Sequence, residues 1–207
     1  MNLVELFVPP GALSEGTRQR IAKTITTELI QAPGAPADLI ERGRAMTWVV
    51  VHEPAVWTVG DRAVGHDDAP RYVVRVTVPG GHLNEAMRSE LVARVTRALA
   101  ANDPDGDRVY RQPDAWIHII ETPDGNAGAF GRPMRTSEIA EFISTGMVSQ
   151  PTAGETMATV LDPICGMTVR VTDDSLTLEH DGTRYAFCSA SCRDIFARQA
   201  DSSATTP

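Results

Sequence analysis

The chain says the same thing twice. Residues 3–8 form a short apolar run that ends at Pro9-Pro10-Gly11, and residues 72–78 form another that ends at Pro79-Gly80-Gly81. A capping residue follows each, Ser14 and then Asn84. Each cap opens an amphipathic stretch. Ile21, Ala22, Ile25 and Leu29 share one helical face in the first, and Met87, Leu91, Val92, Val95 and Leu99 in the second. Each helix leads into a tryptophan-headed strand, residues 48–52 and 116–120, closed by Glu53-Pro54 and by Glu121-Thr122-Pro123. An aromatic and a glycine come next, Trp57 before Gly60 and Phe130 before Gly131. The offset stays near 70 residues, the mark of a tandem βαβ repeat. Each unit is expected to cross over right-handed, with its helix on one face. Two units side by side give an α+β fold, a four-stranded sheet with two helices on one face. The run Trp48-Val49-Val50-Val51-His52 lacks alternation, which predicts a strand covered on both faces.

This arrangement resembles the tautomerase superfamily, which includes 4-oxalocrotonate tautomerase and macrophage migration inhibitory factor. The stretch from Leu3 to Ser14 carries the resemblance most closely. It implies that residues 1–132 are a two-repeat subunit that assembles as a homotrimer. It also implies isomerase-type chemistry on a small keto or unsaturated acid, with a small carboxylate as ligand. The family's reactive group is the secondary amine of an N-terminal proline. Here Asn2 stands in that place, so the expected terminus is an ordinary Met1 α-amine with a pKa near 8. The family's carboxylate-holding arginine aligns with Ala12 and His82, and a further one with Trp48 or Trp116. The hydrophobic wall survives as Trp57 and Phe130. Fold and activity therefore separate at the sequence level.

Other residues are weaker candidates for chemistry. Arg62, Arg71, Arg75 and Arg132 lie near strand ends, where they bind an anion or sit solvated. His52 and His118 lie within strands and read as packed or edge residues before they read as bases. His66-Asp67-Asp68 offers hard-metal ligands but reads first as a polar turn. No serine–histidine–acid pattern, phosphate loop or convincing carboxylate pair is present in the sequence.

All the cysteines fall in the last fifth of the chain: Cys165, Cys188 and Cys192. Thiolates at short, fixed spacings suit zinc and other soft or borderline ions. Cys188 and Cys192 are four residues apart and would share one helical face. Residues 176–180 and 183–187 flank Asp181-Gly182, a strong signal for a two-residue type I′ hairpin. Ser189 or Ser191 can cap a following helix with Ile195 and Phe196 turned inward, so Cys165 is expected on a loop, Cys188 at the strand end and Cys192 in the first helical turn. Asp162-Pro163-Ile164-Cys165-Gly166-Met167, then Tyr185-Ala186-Phe187-Cys188-Ser189 and Cys192, resembles the YHS domain, a small treble-clef-like metal-binding module. The resemblance implies a transition metal ion, zinc or copper, on Cys165, Cys188 and Cys192. Met167, His180, water or another chain would fill a fourth position.

With a net charge of −8 and a pI near 5.1, the composition argues against nucleic acid or an anionic membrane as the main partner. No apolar run reaches spanning length, and residues 1–5 lack a secretory pattern. An odd set of clustered cysteines fits a reducing cytoplasm. The expected organisation is a tautomerase-like domain over 1–143, a linker over 144–158, a YHS module over 159–199 and a disordered tail over 200–207. The first of these closes with a helix over 133–143, capped by Thr136 or Ser137, with Ile139, Phe142 and Ile143 packing down.

Overall fold

A computed structural model describes residues 1–31, 35–81, 83–144, 159–164, 168–172 and 174–203. The first half contains β1 (Asn2–Phe7), α1 (Glu15–Ile30), α2 (Ala37–Ala45), β2 (Thr47–His52), and a small hairpin of β3 (Thr58–Val59) and β4 (Arg62–Ala63). The second half repeats this with β5 (Tyr72–Pro79), α3 (Glu85–Ala100), the short α4 (Arg108–Arg111), β6 (Ala115–Thr122), and a hairpin of β7 (Ala127–Ala129) and β8 (Arg132–Met134). Then come α5 (Thr136–Ser144), β9 (Thr159–Leu161), β10 (Thr168–Arg170), β11 (Leu176–His180), β12 (Thr183–Phe187) and α6 (Ala190–Ser203).

The chain divides into two compact units. One comprises Met1–Gln31, Gly43–Val78 and Leu83–Thr122, and the other gathers the remaining described residues. Pro123 to Ser144 thus groups with the carboxyl-terminal elements, because α5 packs on α6.

In the first unit the sheet order is β2-β1-β5-β6, with β1 parallel to β2 and antiparallel to β5. Alternation along the strands sets the layers. Val4, Leu6, Val8, Tyr72, Val74, Val76 and Val78 are buried with Ile21 and Ile25 of α1 and Val95, Ala98 and Leu99 of α3. Both helices therefore lie on one face, as the repeat requires. Their starts are capped alike: the Ser14 hydroxyl accepts from the Thr17 N–H at 3.2 Å, and the Asn84 carbonyl oxygen from the Met87 N–H at 2.9 Å. Val92, expected on the inward face of α3, is exposed, since the core stripe runs through Val95, Ala98 and Leu99.

The other sheet face departs from expectation. Trp48 is 70% exposed and Trp116 60%, with Leu3, Val50 and Ile120 exposed beside them. β2 is an edge strand covered by helices on one side, so its unbroken apolar text does not mean two buried faces in this chain.

In the second unit Asp181 (φ 49°) and Gly182 (φ 72°) make the expected hairpin between β11 and β12. Ile164, Phe187, Cys192 and Ile195 form its small buried core, with Ala140, Leu178, Tyr185, Cys188 and Phe196 packed around. Phe196 is the hub, its ring 4.5 Å from Tyr185, 5.4 Å from Phe187 and 5.9 Å from His180. α5 begins at Thr136 and is held by neither expected cap. The Glu138 carboxylate accepts the Arg135 N–H, and Asp124 accepts the Thr136 N–H. Ile139 is buried as expected, whereas Phe142 is exposed and leans on Phe130 at 5.3 Å.

Candidate metal centre

The β12–α6 corner brings two of the cysteines together. β12 ends at Phe187, Cys188 follows, and Ser189 caps α6 by accepting the Cys192 N–H at 3.2 Å. The Cys188 and Cys192 sulfurs lie 3.8 Å apart. A strand end running into a capped helix achieves this, as expected for Cys188 and Cys192, since β12 ends at Phe187 and α6 begins at Ala190. Cys192 stands in the first turn of α6, at the positive end of the helix dipole.

A third donor enters from the loop after β9. Asp162 is 1% exposed, and its carboxylate and both sulfurs lie within 4.8 Å of one another. One carboxylate oxygen accepts the Ile164 N–H at 2.8 Å, an Asx turn that folds the loop on itself. The other accepts the Cys188 N–H at 2.7 Å. Burial holds the Asp162 carboxyl above its ordinary range, and the Cys192 sulfur pushes the same way; the two N–H donors oppose both. A tetrahedral ion with metal–sulfur bonds of about 2.3 Å holds neighbouring sulfurs about 3.8 Å apart. The donor set thus fits a thiolate-preferring ion in both chemistry and spacing. Cys165 and Met167 lie outside the described residues. His180 is not part of the cluster. Its ring stands edge-on to Phe196, with Nε2 3.4 Å from Asp181. Sequence reasoning quoted Asp162 only as part of the motif and did not place its carboxylate beside the two sulfurs.

The amino-terminal candidates resolve mostly into structure. Arg62 pairs with Asp68 at 2.9 Å, and Asp68 also accepts the Gly65 N–H, so residues 65–68 form a polar turn. His66 is exposed beside Asp67. Arg71 pairs with the buried Asp114, and Arg132 with Glu138 at 2.7 Å. Arg75 lies 5.1 Å from the centre of the Phe7 ring, which stacks on His52 at 4.5 Å. Arg75 and His118 border an open cavity of about 530 Å3 on the sheet. Trp57 is half-buried and Phe130 68% exposed, while His82 is outside the described residues. One expectation is corrected: the Met1 amine is not ordinary, because burial lowers its pKa from 8.0 to about 6.

The repeat also hides an ion pair in each half. Arg18 in the first turns of α1 meets Glu53 beyond β2, and Arg88 in α3 meets Glu121 of β6 at 2.6 Å. Glu53 and Glu121 read as landmarks in the sequence, but the arginines at matching positions did not.

No protein-family model matches the chain, and no curated protein matches it. Solved structures do. A protein named Pt0534, inactivated by 2-oxo-3-pentynoate, is 17% identical; the match covers 66% of this chain and 98% of that one, at a TM-score of 0.47. A fused 4-OT described as a wild-type asymmetric trimer is 17% identical, covering 63% and 94%, at 0.47. A macrophage migration inhibitory factor-like protein from Entamoeba histolytica is 13% identical, covering 64% and 98%, at 0.45.

Proposed function

We propose that the chain binds a transition metal ion, zinc or copper, through Cys165, Cys188 and Cys192 of a YHS-like module joined to a tautomerase-like body. The observation that carries this is the 3.8 Å approach of the Cys188 and Cys192 sulfurs beside a buried carboxylate. A packed pair of thiols needs no carboxylate beside it, whereas two sulfurs with a carboxylate oxygen are a donor set that zinc takes. When bound, the ion would cross-link loop, strand end and helix start. Full-length protein purified without added ions should carry near-stoichiometric metal by elemental analysis, and Cys188→Ser should release most of it. Metal-free protein that stays metal-free on titration with zinc and with copper(I) would overturn the reading.

A second reading rests on a separate observation, the Met1 amine lowered to about 6 by burial. Such an amine is largely unprotonated at neutral pH and can take a proton from a carbon next to a carbonyl. The four-stranded sheet with two helices on one face supports this isomerase-type reading on a small keto or unsaturated acid more than it supports metal binding. Asn2 in place of a proline means that a primary amine would do the work. Turnover of enol-pyruvate-type substrates, abolished by acylating the terminal amine, would support it. We take the body to be a homotrimer, with the exposed Trp48, Val50, Trp116 and Ile120 face covered by other copies, and the cytoplasm to be its compartment.

A further inference from the structure

The thiolates of the proposed centre suit zinc and copper(I) alike, so the choice between them falls on the remaining donor. Asp162 is the described residue placed to be that donor. Its carboxylate lies within 4.8 Å of both sulfurs, and the side chain is 1% exposed, which leaves bulk water little access to its place. Its orientation is fixed from two sides by the N–H groups of Ile164 and Cys188. Metal-ligating carboxylates are held in this way by outer hydrogen bonds. The bond from Cys188 also links one ligand to another, so that Asp162 sets the position of the sulfur next to it. His180, the imidazole of the same module, is engaged with Phe196 and Asp181.

We propose that Asp162 is an oxygen donor of the centre, beside the sulfurs of Cys188 and Cys192, and makes it selective for a divalent borderline cation of the zinc type over copper(I). A hard carboxylate oxygen contributes little to copper(I), which two or three sulfurs satisfy, and binds zinc at about 2.0–2.2 Å. Charge points the same way. Two thiolates and a carboxylate, gathered out of water, are better balanced by a dipositive ion than by a monopositive one. The inference rests on the metal-binding reading above.

The test uses the full chain loaded separately with zinc and with copper(I) under anaerobic conditions. X-ray absorption of the zinc form should show sulfurs and one oxygen in the first shell, whereas the copper(I) form should show sulfur alone. Competition titrations with Asp162→Asn should show the preference for zinc over copper(I) falling about tenfold or more, the scale on which even outer-shell partners act. A sulfur-only zinc shell in the natural protein would overturn the proposal without any variant, so misfolding of Asp162→Asn does not protect it. An unchanged preference in a folded Asp162→Asn would also overturn it while leaving thiolate binding intact. Failure of the natural protein to hold either ion would sink the metal-binding reading itself.

Discussion

The two units of this chain build their interiors from different atoms. The amino-terminal unit closes a core of aliphatic side chains from four strands and two long helices: Val4, Leu6, Ile21, Ile25, Val74, Val76 and Leu99 are all fully buried. Among the described residues, the carboxyl-terminal unit has short strands and a smaller buried set. One of its buried members is the thiol Cys192, packed with Ile164, Phe187 and Ile195, and Asp162 lies buried beside it. Small cores rarely suffice unaided, and a cross-linking ion is one of the usual remedies. The difference teaches that a sulfur can serve two purposes at once. In the second unit the group that packs the core is also the proposed ligand, so on that proposal loss of the ion would loosen the core as well.

The strongest way to break this contrast is to remove metal from loaded protein with a competing chelator and follow amide hydrogen exchange. Structural zinc sites contribute on the order of 10 kcal/mol to the folds they hold. Protection of residues 176–196 should collapse, while amides of β1 and β5 should keep theirs. Equal loss in both units would show that they are not energetically distinct. Equal retention would show that the small core stands without an ion.

Much of the first unit was legible in the sequence because each signal there is periodic or local. Strand ends at Pro9 and Pro79, caps at Ser14 and Asn84, and helix faces through Ile25 and Leu99 all follow from pattern and turn chemistry. The hairpins β3–β4 there and β7–β8 in the other unit were not legible, since strands of two or three residues carry no period. Nor was the exposure of Trp48 and Trp116, because sequence cannot say which apolar face another element covers. In the second unit the Asp181-Gly182 turn and the thiol pair were readable, the first from its dipeptide and the second from spacing. Asp162 was not, because its role arises from two backbone N–H groups, one of them on Cys188 far along the chain.

The next effect is smaller and belongs to the first unit. The Met1 amine has a folded pKa of about 6, below the 8.0 of an unhindered terminus. Between pH 8 and pH 6 the unfolded chain therefore takes up a proton that the folded chain refuses. Stability should fall as pH drops through that window, by up to about 2 kcal/mol, and level off below it. Urea denaturation of the first unit at a series of pH values, with NMR titration of a 15N-labelled amine, measures both sides. Stability that is flat from pH 8 to pH 6, with a titration midpoint near 8, would mean that the amine is solvated. The reading of Met1 as a neutral-pH base would then go with it.

The finest comparison lies inside the first unit, between the two partners of one ion pair. Arg18 meets Glu53 and Arg88 meets Glu121, the same pair at the same place in each half. Glu53 also accepts the Gly11 N–H at 3.0 Å, and Gly11 sits at φ 71°, a conformation that glycine adopts without strain. Glu53 thus ties the start of α1, the end of β2 and the turn after β1. Exposed ion pairs are worth at most about 1 kcal/mol, so neither deletion should unfold the protein. Glu53→Ala should still cost more than Arg18→Ala, by roughly 0.5–1 kcal/mol, because it also releases a backbone donor, whereas Arg18→Ala leaves the Gly11 bond in place. Denaturation midpoints for the two variants decide it. Equal losses would mean that the turn after β1 holds its shape without the carboxylate, so that Glu53 acts there only as the arginine's counter-ion.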